Sequence, residues 1–200
     1  MPTGPSEGQP RATASAESAK ATLRTRLRAA RGSRPADPAA DDARTIRALA
    51  ACAGASVVAA YASMPGEPST TELIEALRLA DVQVLLPVLT GGSDWAWYTG
   101  PSALVPGPRG IPRPTGEALG PEALLQADWI WLPGLAGTTR GHRLGTGGGW
   151  YDRALAWSTP SARLGLLLFD DEVLDAVPLD PWDRDVHVLV TERRRVDCPE

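Results

Sequence analysis

The stretch RLGTGGGWYDRAL, residues 143–155, places four glycines in five positions between two arginines and beside an acidic residue. Glycine lets the backbone adopt conformations closed to other residues and approach an anion closely. Arg143 and Arg153 add guanidinium groups that match phosphate oxygens, and Asp152 can hold a divalent cation that bridges such oxygens. The stretch favours a phosphate site, with a flexible loop that leads into a helix as the alternative.

Neither of the common nucleotide motifs accounts for this glycine run. The sequence has no G-x-x-x-x-G-K-[ST] pattern, and Trp150 stands where a dinucleotide fingerprint needs its third glycine. Asp152 also has a simpler interpretation, since an acid in the first turn of a helix complements the helix dipole without any metal.

Apolar runs and helical patterns alternate along the chain. The runs SVVAAYA, STTELIEALRLA and VQVLLPVL have the spacing of a strand, a helix and a second, parallel strand. DWIWLPGLAG, ARLGLLLF and DVHVLVTE are predicted as further strands, and GWYDRALAWS as a helix. We therefore expect an α/β fold: an open, largely parallel sheet with helices on both faces, in a single domain. In such sheets ligands bind where strands end and helices begin, which is where the glycine run lies.

The expected domain spans residues 18–192. Residues 1–17 are rich in Pro, Gly, Ser and Ala without an apolar period, which predicts a disordered N-terminal tail. Residues 193–200 are polar and are predicted to be a mobile C-terminal tail. Residues 91–120 hold many turn formers and an aromatic patch, which indicates short strands and loops.

The first predicted helix, from about Ser18, has a basic stripe. Lys20, Arg24, Arg28 and Arg31 follow one another at helical spacing beside an apolar face. On its own, such a stripe is more typical of a solvated helix face than of a binding site. Lys20 is the only lysine of the sequence, which favours a position that needs a compact ammonium group.

Composition excludes several classes of protein. The 200 residues carry a formal net charge of -4 and a pI near 5.3, which argues against a nucleic-acid partner. No apolar run approaches the roughly 18 residues of a membrane span. The two cysteines lack metal-ligand spacing, so we expect a reduced, cytoplasmic protein. Nothing in the sequence indicates an obligate protein partner.

The stretch LPGLAGTTRGHRLGTGGGWYDRAL closely resembles the signature of the 5-formyltetrahydrofolate cyclo-ligase family. KATLR, YASMPGEPSTTELIEAL, VLLPVL and VPLDPWDRDVHVLVTE resemble further segments of that family, so the resemblance covers about residues 18–192. It implies an enzyme that uses ATP and Mg²⁺ to convert 5-formyltetrahydrofolate into 5,10-methenyltetrahydrofolate, ADP and phosphate. ATP and a reduced folate are then the expected partners.

The same resemblance assigns roles to individual residues. It implies catalytic roles for Arg143 and Lys20, substrate contacts for Glu67, Ala62 and Trp150, and metal contacts for Asp152 and Asp183. Asp180 or Asp185 is an alternative to Asp183, because the alignment is ambiguous in this acid-rich segment. The implied ATP contacts are Lys20, Arg24, Arg143, Leu144, Gly145, Thr146, Gly147, Gly148, Gly149, Trp150 and Tyr151.

Three further aromatic residues have two interpretations. Trp95, Trp97 and Tyr98 are candidates for stacking on the folate, and a place in the core is the alternative.

The sequence also departs from the family pattern at five positions, Arg113, Thr146, Trp150, Glu172 and Trp182. Those at Arg113, Glu172 and Trp182 motivate an alternative function, a non-catalytic nucleotide- or folate-binding protein of the same fold. A sugar-phosphate isomerase or an acyl-CoA transferase would rest on fold analogy alone.

Overall fold

The computed structural model describes residues 9–89 and 92–199, and its central element is a sheet of seven strands. The helices are α1 (Gln9–Gly32), α2 (Pro38–Ala51), α3 (Thr71–Leu79) and α4 (Trp150–Ala154). The strands are β1 (Val57–Ala59), β2 (Gln83–Val88), β3 (Asp94–Trp97), β4 (Leu104–Pro106), β5 (Pro112–Pro114), β6 (Trp129–Leu132), β7 (Ala136–Gly137), β8 (Arg143–Leu144), β9 (Arg163–Leu167), β10 (Val188–Val190) and β11 (Arg195–Asp197).

The sheet has the order β11-β10-β9-β6-β1-β2-β3. Its five inner strands are parallel, and the two edge strands, β3 and β11, pair antiparallel with their neighbours. The β1–α3–β2 unit is the predicted strand, helix and parallel strand. The inner strands are apolar on both faces, as parallel strands covered by helices must be. The predicted α/β class and the largely parallel sheet are confirmed.

Successive residues of the inner strands supply two cores, one on each face of the sheet. Trp131 of β6 packs with Ala48 of α2 and Leu73 of α3 on one face. Ile130 of the same strand packs on the other face with Leu124 of a short 3₁₀-helix, Pro121–Gln126, and Leu155 next to α4. Because side chains alternate along a strand, the sheet needs cover on both sides.

The N-terminal helix is longer than the sequence indicated. Helix α1 begins at Gln9 rather than near Ser18, and residues 1–8 of the predicted tail lie outside the described residues. Alanine, the strongest helix former, recurs between residues 11 and 17, and a proline is tolerated in the first turn of a helix. Local propensity therefore carries the helix beyond the amphipathic segment on which the prediction depended.

The C-terminal segment, predicted as a mobile tail, contains β11, which pairs antiparallel with β10. The turn between them is closed by Thr191, whose hydroxyl accepts hydrogen bonds from the backbone N–H groups of Arg193 and Arg194. Polar composition hid this strand, because an exposed edge strand needs no apolar face.

The middle of the chain consists of short strands and turns, as predicted. Strands β4 and β5 form a separate hairpin, and the tip of this hairpin holds a single helical turn at Pro108–Gly110. Within residues 9–89 and 92–199, no helix combines the length and the apolar composition needed to cross a bilayer.

Candidate active site

A cavity of about 780 Å³ opens at the carboxyl ends of the central parallel strands. Tyr61 and Ala62 follow β1, Leu89 follows β2, and Pro133 follows β6, so three neighbouring strands end at this cavity. The other lining residues are Arg28, Arg31, Gly32, residues 64–67, Pro87, Pro108, Ile111, Leu135, Arg143 and residues 145–153. The cavity therefore lies where ligands bind in open α/β sheets.

The glycine loop, residues 145–149, joins β8 to α4 along one side of the cavity. Gly147 and Gly149 have φ angles of 95° and 62°, a region that strongly favours glycine. Arg24 Nε donates to the carbonyl oxygen of Gly145, and Arg28 Nη2 donates to that of Thr146. In a trans peptide the N–H points opposite to the C=O. The N–H groups of Thr146 and Gly147 therefore point away from α1.

Helix α4 is shorter than predicted, with five α-helical residues followed by a single turn at Leu155–Trp157. A helix of five residues has few aligned peptide dipoles, so its N-terminus contributes little to anion binding. The donors of this site are the loop amides and the side chains beside them.

Arg143 and Tyr151 present buried donors at the cavity. Arg143 is 8% exposed and its Nη2 donates to Asp152 Oδ1. The Arg143 Nε and the Tyr151 hydroxyl are buried, and the described residues provide no acceptor for either. Burial raises the pKa of Tyr151 far above its ordinary value, so its hydroxyl remains protonated and able to donate. Unpaired buried donors are costly unless a ligand accepts from them.

The three aromatic candidates Trp95, Trp97 and Tyr98 pack in the core and lie outside the cavity lining. Trp95 is fully buried and meets the ring of Trp150 edge-on, with 5.3 Å between centroids. The hydroxyl of Tyr98 donates to Glu75, and Trp97 packs against the core. Trp150 itself lines the cavity, and its Nε1 donates to the carbonyl oxygen of Gly92. Trp95 therefore supports the ring that a ligand would contact.

The cavity lining also includes an acid, the half-buried Glu67. This residue lies in a tight turn after β1, where its Oε2 accepts from the N–H of Met64. Burial raises the pKa of Glu67, and the Met64 hydrogen bond and the charge of Arg31 partly oppose that rise. Ala62 also lines the cavity. All three predicted substrate contacts, Glu67, Ala62 and Trp150, therefore belong to the lining of one cavity.

Lys20 lies outside the residues that line the cavity. Its Nζ is 2.5 Å from Asp180 Oδ2 and 2.6 Å from Asp183 Oδ2, and the residue is 4% exposed. Burial lowers the pKa of Lys20, but the hydrogen bonds with these two carboxylates outweigh it and raise the pKa overall. The structure therefore joins the predicted metal ligand Asp183 to Lys20 rather than to Asp152. Leu144 is buried in a small apolar cluster and also lies outside the lining.

The sequence reasoning placed Arg28 and Arg31 on the basic stripe without assigning them to the site, yet both line the cavity. Arg31 is 6% exposed and forms a double hydrogen bond with the buried carboxylate of Glu172. The helical spacing from Lys20 was the signal for these residues. Of the other departures from the family pattern, Trp182 is exposed and Arg113 is half-buried in β5.

Known proteins resemble this chain over most of its length. It is 35% identical over 144 residues to the 5-formyltetrahydrofolate cyclo-ligase of Mycolicibacterium smegmatis, which covers 68% of this chain and 74% of that protein. The Escherichia coli enzyme of the same name is 32% identical over 142 residues, 68% of this chain and 78% of that protein.

A solved structure supports the same relationship. The Aquifex aeolicus 5,10-methenyltetrahydrofolate synthetase superposes with a TM-score of 0.76 at 28% identity, covering 90% of this chain and 93% of that one. Residues 16–192 match the sequence pattern of the 5-formyltetrahydrofolate cyclo-ligase family. The chain therefore belongs to the 5-formyltetrahydrofolate cyclo-ligase family.

Proposed function

We propose that this chain catalyses the ATP-dependent cyclisation of 5-formyltetrahydrofolate to 5,10-methenyltetrahydrofolate, with release of ADP and phosphate. One observation carries the proposal beyond family membership: a single cavity is lined both by phosphate-type donors and by an acid, the half-buried Glu67. The phosphates of ATP suit the donors, and the N–H groups of the folate suit the acid. Both substrates must occupy one site, because a phosphoryl group passes between them.

The phosphates are placed on the glycine loop. Four donors can serve them: the N–H groups of Thr146 and Gly147, which point away from α1, and the Arg143 Nε and Tyr151 hydroxyl, which have no acceptor among the described residues. Phosphoryl transfer depends mainly on holding the reactants and neutralising the charge that moves. Arg143 serves both purposes, since it is buried and its guanidinium is fixed by Asp152.

The pterin ring is placed against Glu67. The ring carries an amino group next to a ring N–H, and an ionised carboxylate accepts from both donors. Trp150 adds an indole ring to the cavity lining, which suits a flat bicyclic ring. Ala62, whose side chain is small, leaves room for the ring on the cavity wall.

The reaction then follows from this arrangement. The oxygen of the amide-like formyl group attacks the γ-phosphorus of ATP, the bond from that phosphorus to the ADP oxygen breaks, and ADP leaves. N10 of the same folate attacks the formyl carbon, phosphate leaves with the electron pair of the carbon–oxygen bond, and N10 releases its proton. Because the ring closes within one molecule, orientation supplies much of the rate.

Magnesium is part of the proposal through Asp152. Among the described residues no three His, Cys, Asp or Glu side chains are grouped as a protein-built metal centre would require. Mg²⁺ in nucleotide sites needs only one or two carboxylates, with phosphate oxygens and water completing its shell. Asp152 lines the cavity and is half-exposed, so it fits this role, in which the ion neutralises phosphate charge.

Lys20, Asp180 and Asp183 form an ion-pair cluster outside the cavity lining, and we propose that this cluster acts on the site from there. Helix α1 contacts the glycine loop through Arg24 and the 180–183 segment through Lys20. The role of Lys20 and Asp183 in holding nucleotide and metal stays a prediction.

Two free cysteines, Cys52 and Cys198, agree with a reducing compartment, and we propose a cytoplasmic location.

The direct test is to mix the purified chain with 5-formyltetrahydrofolate and MgATP and to record the absorbance of the methenyl product. Product is expected only when both ATP and a divalent cation are present. ATP binding by calorimetry without product would refute the proposal and favour the non-catalytic binding protein.

Two variants test the division of the cavity. Arg143→Ala is expected to weaken ATP binding far more than folate binding, and Glu67→Gln to do the reverse. Equal losses for both ligands in either variant would show that the two halves of the cavity are assigned wrongly.

A further inference from the structure

Arg31 is a buried cation of the cavity lining that has no role in the reaction described above. It lies near the end of α1, is 6% exposed and contributes to the cavity lining. Its Nε and Nη2 donate to the two carboxylate oxygens of Glu172, and Nη2 also donates to the carbonyl oxygen of Gly134. The hydrogen bonds that Arg31 makes to described residues use Nε and Nη2, which leaves its third nitrogen, Nη1, available to a ligand.

The guanidinium of Arg31 is held rigidly. A double hydrogen bond to a carboxylate fixes the plane of the group, and the carbonyl of Gly134 fixes it further. Glu172 is itself 2% exposed, so both partners are held by their surroundings. This contact also accounts for the acid at position 172, one of the departures from the family pattern, because a carboxylate holds the guanidinium fork strongly.

The position of Arg31 is close to the folate side of the cavity. Gly134, which it contacts, is the second residue after β6, and β6 lies beside β1, which leads to Glu67. The charge of Arg31 also opposes the rise in the pKa of Glu67, which places the two groups within electrostatic reach. Arg28, one turn earlier on the same helix, already donates to Thr146 of the glycine loop.

The other cations near the cavity are less suited to the reacting centre. Arg143 is paired with Asp152 on the nucleotide side, and Lys20 is engaged by two carboxylates outside the lining. Arg153 is exposed at the rim. Arg31 is therefore a buried and rigid cation of the cavity lining that is not tied to the nucleotide side.

We propose that Arg31 is a catalytic residue, and that its Nη1 donates to the formyl oxygen and the phosphoryl group while the group passes between them. This inference rests on the proposed function. In that step the formyl oxygen gains a bond to the γ-phosphorus as the bond to ADP breaks, and negative charge spreads over the phosphoryl oxygens. A fixed guanidinium stabilises that charge without reorganisation.

The test compares three variants with the wild-type chain. Arg31→Gln with Glu172→Gln removes the guanidinium without leaving a buried, unpaired carboxylate. Arg31→Lys keeps the positive charge and a partner for Glu172 but loses the fork. Arg34→Gln is the matched control, because Arg34 lies one turn later on the N-terminal segment, pairs with Asp171 beside Glu172, and lies outside the cavity lining.

We expect kcat to fall by about 10²-fold or more in the double variant and by about tenfold in Arg31→Lys, with dissociation constants for ATP and folate within about threefold of wild type. Arg34→Gln is expected to keep kcat within about threefold. A purely structural role would instead weaken both affinities together with kcat, and that result would overturn the inference.

Two further results would also overturn it. One is a double variant whose kcat matches that of Arg34→Gln, and the other, decisive if the double variant does not fold, is an Arg31→Lys variant with the kcat of wild type. Absence of ATP-dependent product from the wild-type chain itself is a different failure. That result would refute the proposed function, and with it the catalytic role of Arg31, before any variant is compared.

Discussion

Replacement of Gly147 by alanine tests whether the glycine loop holds a conformation made for the nucleotide. The φ angle of Gly147 is 95°, and a Cβ there would lie 3.3 Å from Arg24 Nε. An L-residue in the left-handed region costs about 1–2 kcal/mol. The loop can relieve this strain only by turning away from the arrangement in which Arg24 holds the Gly145 carbonyl at 3.1 Å.

ATP binding requires the original conformation of the loop, so the strain returns when ATP binds. The free energy of that strain is then lost from the binding affinity. At about 1.4 kcal/mol per tenfold, a cost of about 1–2 kcal/mol weakens ATP binding about 5- to 30-fold. Isothermal calorimetry with MgATP measures the loss, and denaturant unfolding shows whether the loop relaxed or kept its strain.

Gly54→Ala is the matched control for this experiment. Gly54 follows α2 with a φ of 88°, and a Cβ there meets nothing within 4 Å. Its backbone cost is similar, but it lies outside the cavity lining, so it is expected to lower stability without changing ATP affinity. The reasoning fails if Gly147→Ala binds ATP within about twofold of wild type, or if Gly54→Ala loses as much affinity.

Three further outcomes are expected. The wild-type kcat/KM for folate should fall as pH decreases, because protonation of Glu67 removes the carboxylate acceptor. Burial raises the pKa of Glu67, so the midpoint of this fall should lie above the ordinary glutamate pKa of 4.5. In Glu67→Gln the fall should be absent from the pH profile. Gly165→Ala should destabilise the chain by about 3 kcal/mol in denaturant unfolding, since a Cβ there would lie 2.4 Å from Cζ3 of Trp131. Chelation of divalent ions should weaken ATP binding in calorimetry, and less so in Asp152→Asn; an equal response in both proteins would remove Asp152 from the metal site.

The sheet and the location of the cavity could be predicted because they depend on local patterns. Apolar runs of four to eight residues bounded by turn formers indicate buried strands, and the glycine run stands where a strand leads into a helix. The tight turn at Glu67 also lies between a strand and a helix in the sequence. Each of these features depends on residues close together in the chain.

The partners of charged side chains could not be predicted, because they depend on pairs that are far apart in sequence. Lys20 and Asp180 are separated by 160 residues, and Arg31 and Glu172 by 141. A basic stripe looks the same in sequence whether its members bind phosphate, fasten a loop or face solvent. The structure separates these outcomes: Lys20 is engaged by carboxylates, while Arg31 reaches the cavity.

Because Lys20 is the only lysine, its chemical modification can report on the motion of helix α1. Reagents that acylate amines require an uncharged and accessible nitrogen, and Lys20 is buried with its pKa raised by two carboxylates. Acylation at this residue must therefore wait until the N-terminal helix separates from the 180–183 segment. The rate of modification, followed by mass spectrometry, then measures how often the helix lifts from the rest of the protein, with no background from other lysines.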